Sequence, residues 1–243
     1  MCGRFAQPRS PEELARIFQA RPVSDLAGER FNVAPTDPVL AVTQRQGERL
    51  LEEFRWGLLP VFARDRRGAA RMINARVETV ESSPAFRTAF RARRCLLPAD
   101  AFYEWIRHRD PATGRVRRSE PFAIRRKTGE PMAFAGIWSV WRDPLSAERV
   151  STAAIITGPP NELVARVHDR MPVILPPHAW EAWLDEDAEP ADLRPLLGPA
   201  PADDFVLYPV SPAVNDVRSE GPELLTPLTR WTEPETWPAA HRA

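Results

Sequence analysis

The chain is poor in the residues that make covalent and metal staples: it has two cysteines and four histidines in 243 residues. Cys2 and Cys95 lie far apart in sequence, so a structural disulfide is not expected, and two thiols among scattered imidazoles make a poor metal site. No run of about 18 apolar residues occurs, which leaves no candidate membrane-spanning helix. The opening MCGRFAQPRS has no apolar h-region, so a secretory leader is not expected and a cytoplasmic protein is. Lysine is nearly missing too; Lys127 stands alone among arginines. Proline, by contrast, is abundant at 27 residues, which argues for short elements joined by stiff turns and against a long-helix bundle. Hydrophobic residues at 43% and charged residues at 27% are ordinary globular values and exclude disordered and fibrous classes.

A formal net charge of zero conceals a polar chain. Residues 1–130 hold 25 Lys+Arg against 16 Asp+Glu, and residues 131–243 hold 8 against 17, so the halves carry +9 and −9. The positive half is almost wholly guanidinium, which grips phosphate in a bidentate fork and stacks on bases. A genome-wide arginine preference explains the choice of Arg over Lys but not the segregation.

Ser10-Pro11-Glu12-Glu13 reads as a capped helix start, with Leu14, Ile17 and Phe18 on one face. Strands are expected at 39–43 and 50–56 about a turn at Gly47, and a second helix at 83–93 with Ser83 as its cap and Pro84 at its first position. Short apolar runs at 95–98, 102–106, 121–124, 132–138 and 152–156 read as strands, with a hairpin tip at 110–114. A helix over 161–167, a strand at 173–175, a helix over 177–184 and a strand at 205–210 follow. Residues 185–203 are acidic and proline-rich and read as a surface excursion; the tail beyond Ser219 reads as loosely held. The order predicts an α+β chain, one domain over residues 1–243, with a strand-rich core and peripheral helices.

Five short segments place chemistry-bearing side chains in apolar or proline-fixed settings. Cys2 follows the initiator Met1 directly, and removal of Met1 leaves an α-amine beside a thiol, a pair that condenses with an aldehyde to an imine and then closes to a thiazolidine. A cysteine at position 2 is equally an accident of sequence. Asn32, in RFNVAP, is a turn residue or a site residue. Asn74 and Arg76, in INARVE, share a strand face that meets either phosphate or solvent. Glu104, enclosed by Phe102, Tyr103 and Trp105, is either a desolvated acid–base group or an arginine's ion-pair partner. His168 alone of the histidines stands beside both an acid and a base, in HDRMP, which suits a proton shuttle.

Together MCGRF, RFNVAP, RWGL, INARVET, RCLLP, FYEW and HDRMPV, running from residue 1 to about 185, resemble the SOS-response-associated peptidase (SRAP) family, whose members process abasic sites in DNA. The resemblance implies a strand-rich, partly barrel-like fold with a positive groove. It implies that Met1 is removed, autocatalytically, and that Cys2 traps the ring-opened aldehyde of an abasic site in single-stranded DNA. It makes Cys2, Asn32, Glu104 and His168 the catalytic residues and Arg4, Asn74 and Arg76 DNA contacts; Trp56 is expected as a further DNA contact, with no metal and no cofactor, in a monomer that associates with the nucleoid when bound to DNA. Weak lyase activity, or reversal of the crosslink by His168, is compatible with a Schiff base. Val61-Phe62 stand where the family often carries tryptophans, and Ala101 where a glycine is usual. A cysteine peptidase of the N-terminal-nucleophile type and a non-covalent single-strand binding module built on the arginines and Trp56 are the competing readings.

Overall fold

The computed structural model describes residues 2–229, apart from 24, 25, 27 and 111. In chain order its elements are β1 (Phe5–Gln7), α1 (Pro11–Phe18), β2 (Arg21–Pro22), β3 (Arg30–Val33), β4 (Pro38–Arg45), β5 (Glu48–Trp56) and β6 (Asn74–Arg76). There follow α2 (Arg87–Ala92), β7 (Arg94–Ala99), β8 (Ala101–Arg109), β9 (Val116–Arg126), β10 (Met132–Arg142) and β11 (Arg149–Gly158). The last are β12 (Met171–Pro172), α3 (Trp180–Leu184), α4 (Pro190–Leu193) and β13 (Phe205–Pro209).

Strands β5, β4, β7, β10 and β11 pair antiparallel in that order, and β11 returns to β5 in parallel through Thr152–Arg55 and Ala153–Trp56, closing a five-stranded barrel. A second, antiparallel sheet runs β13-β9-β8-β1-β3. Strand alternation sends the two faces of the barrel strands to different partners. Val39, Ala41, Leu97, Phe134 and Ile155 pack with Phe5, Phe102 and Ile124 of the second sheet. Leu40, Val42, Leu96, Ala135 and Ile156 pack under Leu14 and Phe18 of α1, Phe90 of α2 and Trp183 of α3. A Cβ on Gly136 of β10 would stand 2.1 Å from Leu97 Cδ1 and 2.8 Å from Cys95 Sγ, so a larger residue there must displace buried side chains of β7.

β4 and β7 pair only at Val42–Leu96. The buried Gln7 side chain bridges this seam: Nε2 donates to Leu40 O at 2.9 Å and Pro98 O at 2.8 Å, and Oε1 accepts from Leu40 N at 2.8 Å. One side chain thereby ties the N-terminal strand to the barrel, which holds residue 2 in register with the strands around it.

The strands expected between 39 and 156 are found, each longer by one to several residues, and the one expected at 205–210 is found at Phe205–Pro209, as are the turn at Gly47 and helix α1 with Ser10 accepting from Glu13 N. Several helical expectations are corrected. Ser83 caps nothing: residues 79–86 form turns, in which Ser83 O accepts from Phe86 N and Arg87 N, so α2 begins only at Arg87. The helix expected over 161–167 is a single 3-10 turn at Val164–Arg166, with Asn161 Oδ1 accepting the Val164 N–H at its start. Residues 173–175 lie beyond a two-residue β12, yet remain extended: Val173 and Leu175 donate to Ile156 O and Ala133 O. Beyond Ser219 the chain is held to at least Leu228, which donates to Pro209 O, and Leu224 is fully buried. Among the described residues, no helix is long and apolar enough to cross a membrane.

Candidate active site

Three strands deliver the site. β1 lies against β8, with Phe5 opposite Phe102 and Tyr103 N donating to Arg4 O, which brings the N-terminal segment alongside Glu104. β6 runs parallel to β11 with Asn74 opposite Ile155, and from there Asn74 Nδ2 donates to the Cys2 carbonyl at 2.7 Å. Asn74 Oδ1 is buried and takes no hydrogen bond among the described residues. Past the 3-10 turn at 164–166, the chain re-enters the same region with His168.

Cys2 is fully buried. Burial pushes its thiol well above the ordinary range and the charge of Glu104 adds to this, so the sulfur is a neutral thiol at pH 7. Glu104 is 3% exposed, and loss of hydration raises its carboxyl to about 8, with Arg107 pulling partly back and Asp169 adding to the rise. His168 Nε2 stands 3.8 Å from Glu104 Oε2. Its Nδ1 accepts the Arg170 backbone N–H at 3.0 Å, which assigns the proton of a neutral ring to Nε2, facing the carboxyl. Desolvation lowers this imidazole to about 4, although Asp169 Oδ1 at 3.1 Å works the other way. At neutral pH the site therefore presents a neutral thiol, a protonated carboxyl and a neutral imidazole. All three are able to give or take a proton, and none carries a charge that needs solvent.

The arrangement has relatives. The model of the family described as SOS response associated peptidase (SRAP) matches residues 1–217. This chain belongs to the SRAP family. An SRAP relative, the abasic site processing protein YoqW of Bacillus subtilis (strain 168), is 38% identical over 93% of this chain and 99% of its own. The abasic site processing protein YedK of Escherichia coli (strain K12) is 30% identical over 94% and 100%, and HMCES of Gallus gallus, of the same description, is 31% identical over 94% and 78%. A solved structure from Bacteroides thetaiotaomicron shares the fold with a TM-score of 0.81 at 24% identity, covering 93% of this chain and all of that one.

The remaining expected site residues of this SRAP chain divide. Arg76 is exposed, and its side chain has no hydrogen-bond or ion-pair partner among the described residues, although its charge acts on Glu78. Arg4 is half-buried: Nη1 donates to Asn32 Oδ1 at 2.8 Å and Val214 O at 2.7 Å, and its guanidinium lies 5.8 Å from the Trp105 ring centroid. Asn32 departs from the expected catalytic role. Its Oδ1 is taken by Arg4 and its Nδ2 by the carbonyls of Asp216 and Ser219, so it fastens the 214–219 loop and aims Arg4, with no hydrogen bond to Cys2 among the described residues. Trp56 is also corrected: it is fully buried, donates Nε1 to Ile73 O at 3.0 Å and meets Phe5 edge-on at 4.9 Å, so neither face is open to a base. The next residue, Gly57, has φ +128° and no room for a Cβ against Ala69 O, which turns the chain away from β5. Two further residues carried no expected role. Arg170 is clamped onto both carboxylate oxygens of Glu78 and onto Thr157 O, which locks the segment holding His168. Arg107 influences both titrating groups from near the end of β8; the signal for it was the basic run Arg107-His108-Arg109 just beyond Trp105-Ile106.

Proposed function

We propose that this protein processes abasic sites in single-stranded DNA by capturing the ring-opened sugar aldehyde covalently on Cys2. After Met1 is removed, the Cys2 α-amine adds to the aldehyde carbon to give a carbinolamine. Protonated Glu104 delivers its proton to the departing hydroxyl, which leaves as water and yields the Schiff base. The Schiff base keeps the remaining amine proton as an iminium; the thiol then adds to its carbon and gives its own proton to the Glu104 carboxylate, directly or through His168, which regenerates the acid. The product is a thiazolidine plus one water, with no oxidant or reductant consumed. Asn74 holds the Cys2 carbonyl so that amine and thiol face the same carbon. Arg76 and Arg4 grip the flanking phosphates.

The observation that carries this reading is the conjunction of a buried neutral thiol at residue 2 with a proton-bearing Glu104 and a neutral His168. A trans-acting peptidase needs a thiolate and an oxyanion hole, whereas this sulfur becomes useful only once an electrophile has formed beside it on the adjacent nitrogen. The Schiff base also opens a β-elimination route to strand scission, so weak lyase activity accompanies capture. Intact mass after mixing with abasic single-stranded DNA tests the reading. The wild type is expected to form a denaturant-stable adduct at the summed mass less one water. Cys2→Ser is expected to give only an imine that borohydride traps, and a chain with a permanent extension before Cys2 is expected to give nothing. A stable adduct on the uncleaved extended chain would overturn the thiazolidine mechanism.

A further inference from the structure

We propose that the β8–β9 hairpin is a second DNA contact of the capture site: an arginine arm that follows the phosphates of the single strand flanking the abasic nucleotide. The inference takes the position of the abasic nucleotide from the covalent-capture reading and the contact itself from the chemistry of the hairpin.

Beyond Ile106 the hairpin leaves the core, and Arg107, Arg109, Arg115, Arg117 and Arg118 are all exposed. Within residues 105–120 the only carboxylates are Asp110 and Glu120, and both are already engaged. Asp110 pairs with Arg117, while Glu120 pairs with Arg118 at 3.1 Å and stands 3.2 Å from His108 Nε2. Arg109 makes a single bond to Gly114 O at 3.0 Å, and the Arg107 and Arg115 side chains have no hydrogen-bond or ion-pair partner among the described residues. Three positive charges are thus left uncompensated on one ribbon.

The ribbon is pre-organised rather than frayed. Asp110 Oδ1 accepts from Ala112 N and Thr113 N, Gly114 N donates to Asp110 O, and Gly114 takes φ +67°, so the tip is closed by its own side chain. Holding like charges in a fixed row costs self-repulsion that an anionic partner relieves. Arg107 and Arg109 stand two residues apart on β8, about 6.7 Å along the strand and on either side of a break in the pairing register between His108 and Arg109, a spacing suited to successive phosphates of an extended strand. The row begins at the site, since the Arg107 charge is felt by both Glu104 and His168. From Glu104 to Asp110 the strand covers about 20 Å, or about three nucleotides at that extended spacing of about 6.7 Å. A protein partner fits less well, because the core of such an interface is apolar and, among the described residues, the exposed part of the hairpin offers Val116 as its one large apolar side chain.

The test compares the wild type with Arg107→Gln/Arg109→Gln/Arg115→Gln, which leaves the Arg117–Asp110 pair in place, and with the corresponding triple Lys variant, which keeps the charge. Binding to a 20-nucleotide single strand without any abasic site is measured from 50 to 200 mM salt. The Gln variant is expected to lose about 2 from the magnitude of the log–log salt slope, at about 0.7 per phosphate released, so its deficit against the wild type shrinks about sixteenfold across that range. The Lys variant is expected to restore the slope, which separates lost charge from lost folding. Capture assays then use abasic probes with one or with eight flanking nucleotides, on either side. The ratio of half-saturating concentrations, short probe over long, is expected to fall toward one in the Gln variant for one flank only. An unchanged slope and an unchanged ratio would overturn the arm while leaving covalent capture intact. Failure of the wild type to form any adduct removes the capture reading, and the salt slopes on intact strands still decide the arm.

Discussion

Glu104→Gln separates the proton chemistry of the site from its shape. Gln matches the protonated carboxyl in size and hydrogen-bonding reach but cannot transfer a proton, so capture of abasic DNA is expected to slow by about 10²- to 10⁴-fold, the usual worth of general acid–base catalysis. The same substitution alters stability with a definite sign. In the folded chain the carboxyl is raised from 4.5 to about 8 by desolvation, so the folded state holds a proton that the unfolded chain releases. Stability from this group is fully present below pH about 4.5 and is lost as pH rises through about 8; at about 1.4 kcal/mol per pH unit the loss is on the order of 5 kcal/mol. His168, lowered from 6.5 to about 4, acts in the opposite sense: its stability is present above pH 6.5 and is lost as pH falls toward 4. The two slopes oppose one another between about pH 4.5 and 6.5, and only the Glu104 slope remains between 6.5 and 8, where the wild type should lose about 2 kcal/mol. Urea unfolding at half-unit pH steps reads this directly. The wild type is expected to be nearly flat and then fall; Glu104→Gln is expected to rise from pH 4.5 to 6.5 and then stay level, ending several kcal/mol above the wild type at pH 9. Parallel curves for the two proteins from pH 6.5 to 9 would refute a raised carboxyl and, with it, the acid assigned to the dehydration step.

Gln7→Leu strips partners from Leu40 N, Leu40 O and Pro98 O; at about 1 kcal/mol each the expected loss is about 3 kcal/mol, and a loss under 1 kcal/mol by urea unfolding would mean the seam does not depend on this side chain. Asn74→Leu removes the donor to the Cys2 carbonyl and is expected to slow adduct formation at least tenfold with the affinity for intact single strands little changed, as read by time-resolved intact mass; an unchanged rate would remove Asn74 from the positioning of Cys2. Arg76→Gln is expected to flatten the salt slope of single-strand binding by about 0.7 without moving the unfolding midpoint. Arg4→Ala, which also breaks the bonds to Asn32 and Val214, is expected to lower that midpoint, and equal midpoints would mean Arg4 does not brace the 214–219 loop.

Local signals determined much of this protein. The short apolar runs at 39–43, 95–98 and 152–156 dictated strands, Ser10-Pro11 dictated the start of α1, and Gly47 dictated its turn, because each depends on backbone preferences within a few residues. Cys2, Glu104 and His168 were legible as candidates because each sits in a local setting unusual for its type. Their convergence was not legible, since it depends on β1 lying against β8 while β11 brings β6 and the 168–172 segment to the same end. Asn32 and Trp56 show the limit from the other side. Both occur in segments shared with the family, yet a polar or aromatic residue in such a segment reads alike whether it faces a ligand or fastens a loop. Only the fold places Asn32 against Arg4 and the 214–219 carbonyls, and Trp56 against Phe5. The elevated carboxyl and depressed imidazole are tertiary properties as well: their cause is water excluded by strands distant in sequence, and no local pattern records how completely a side chain will be covered.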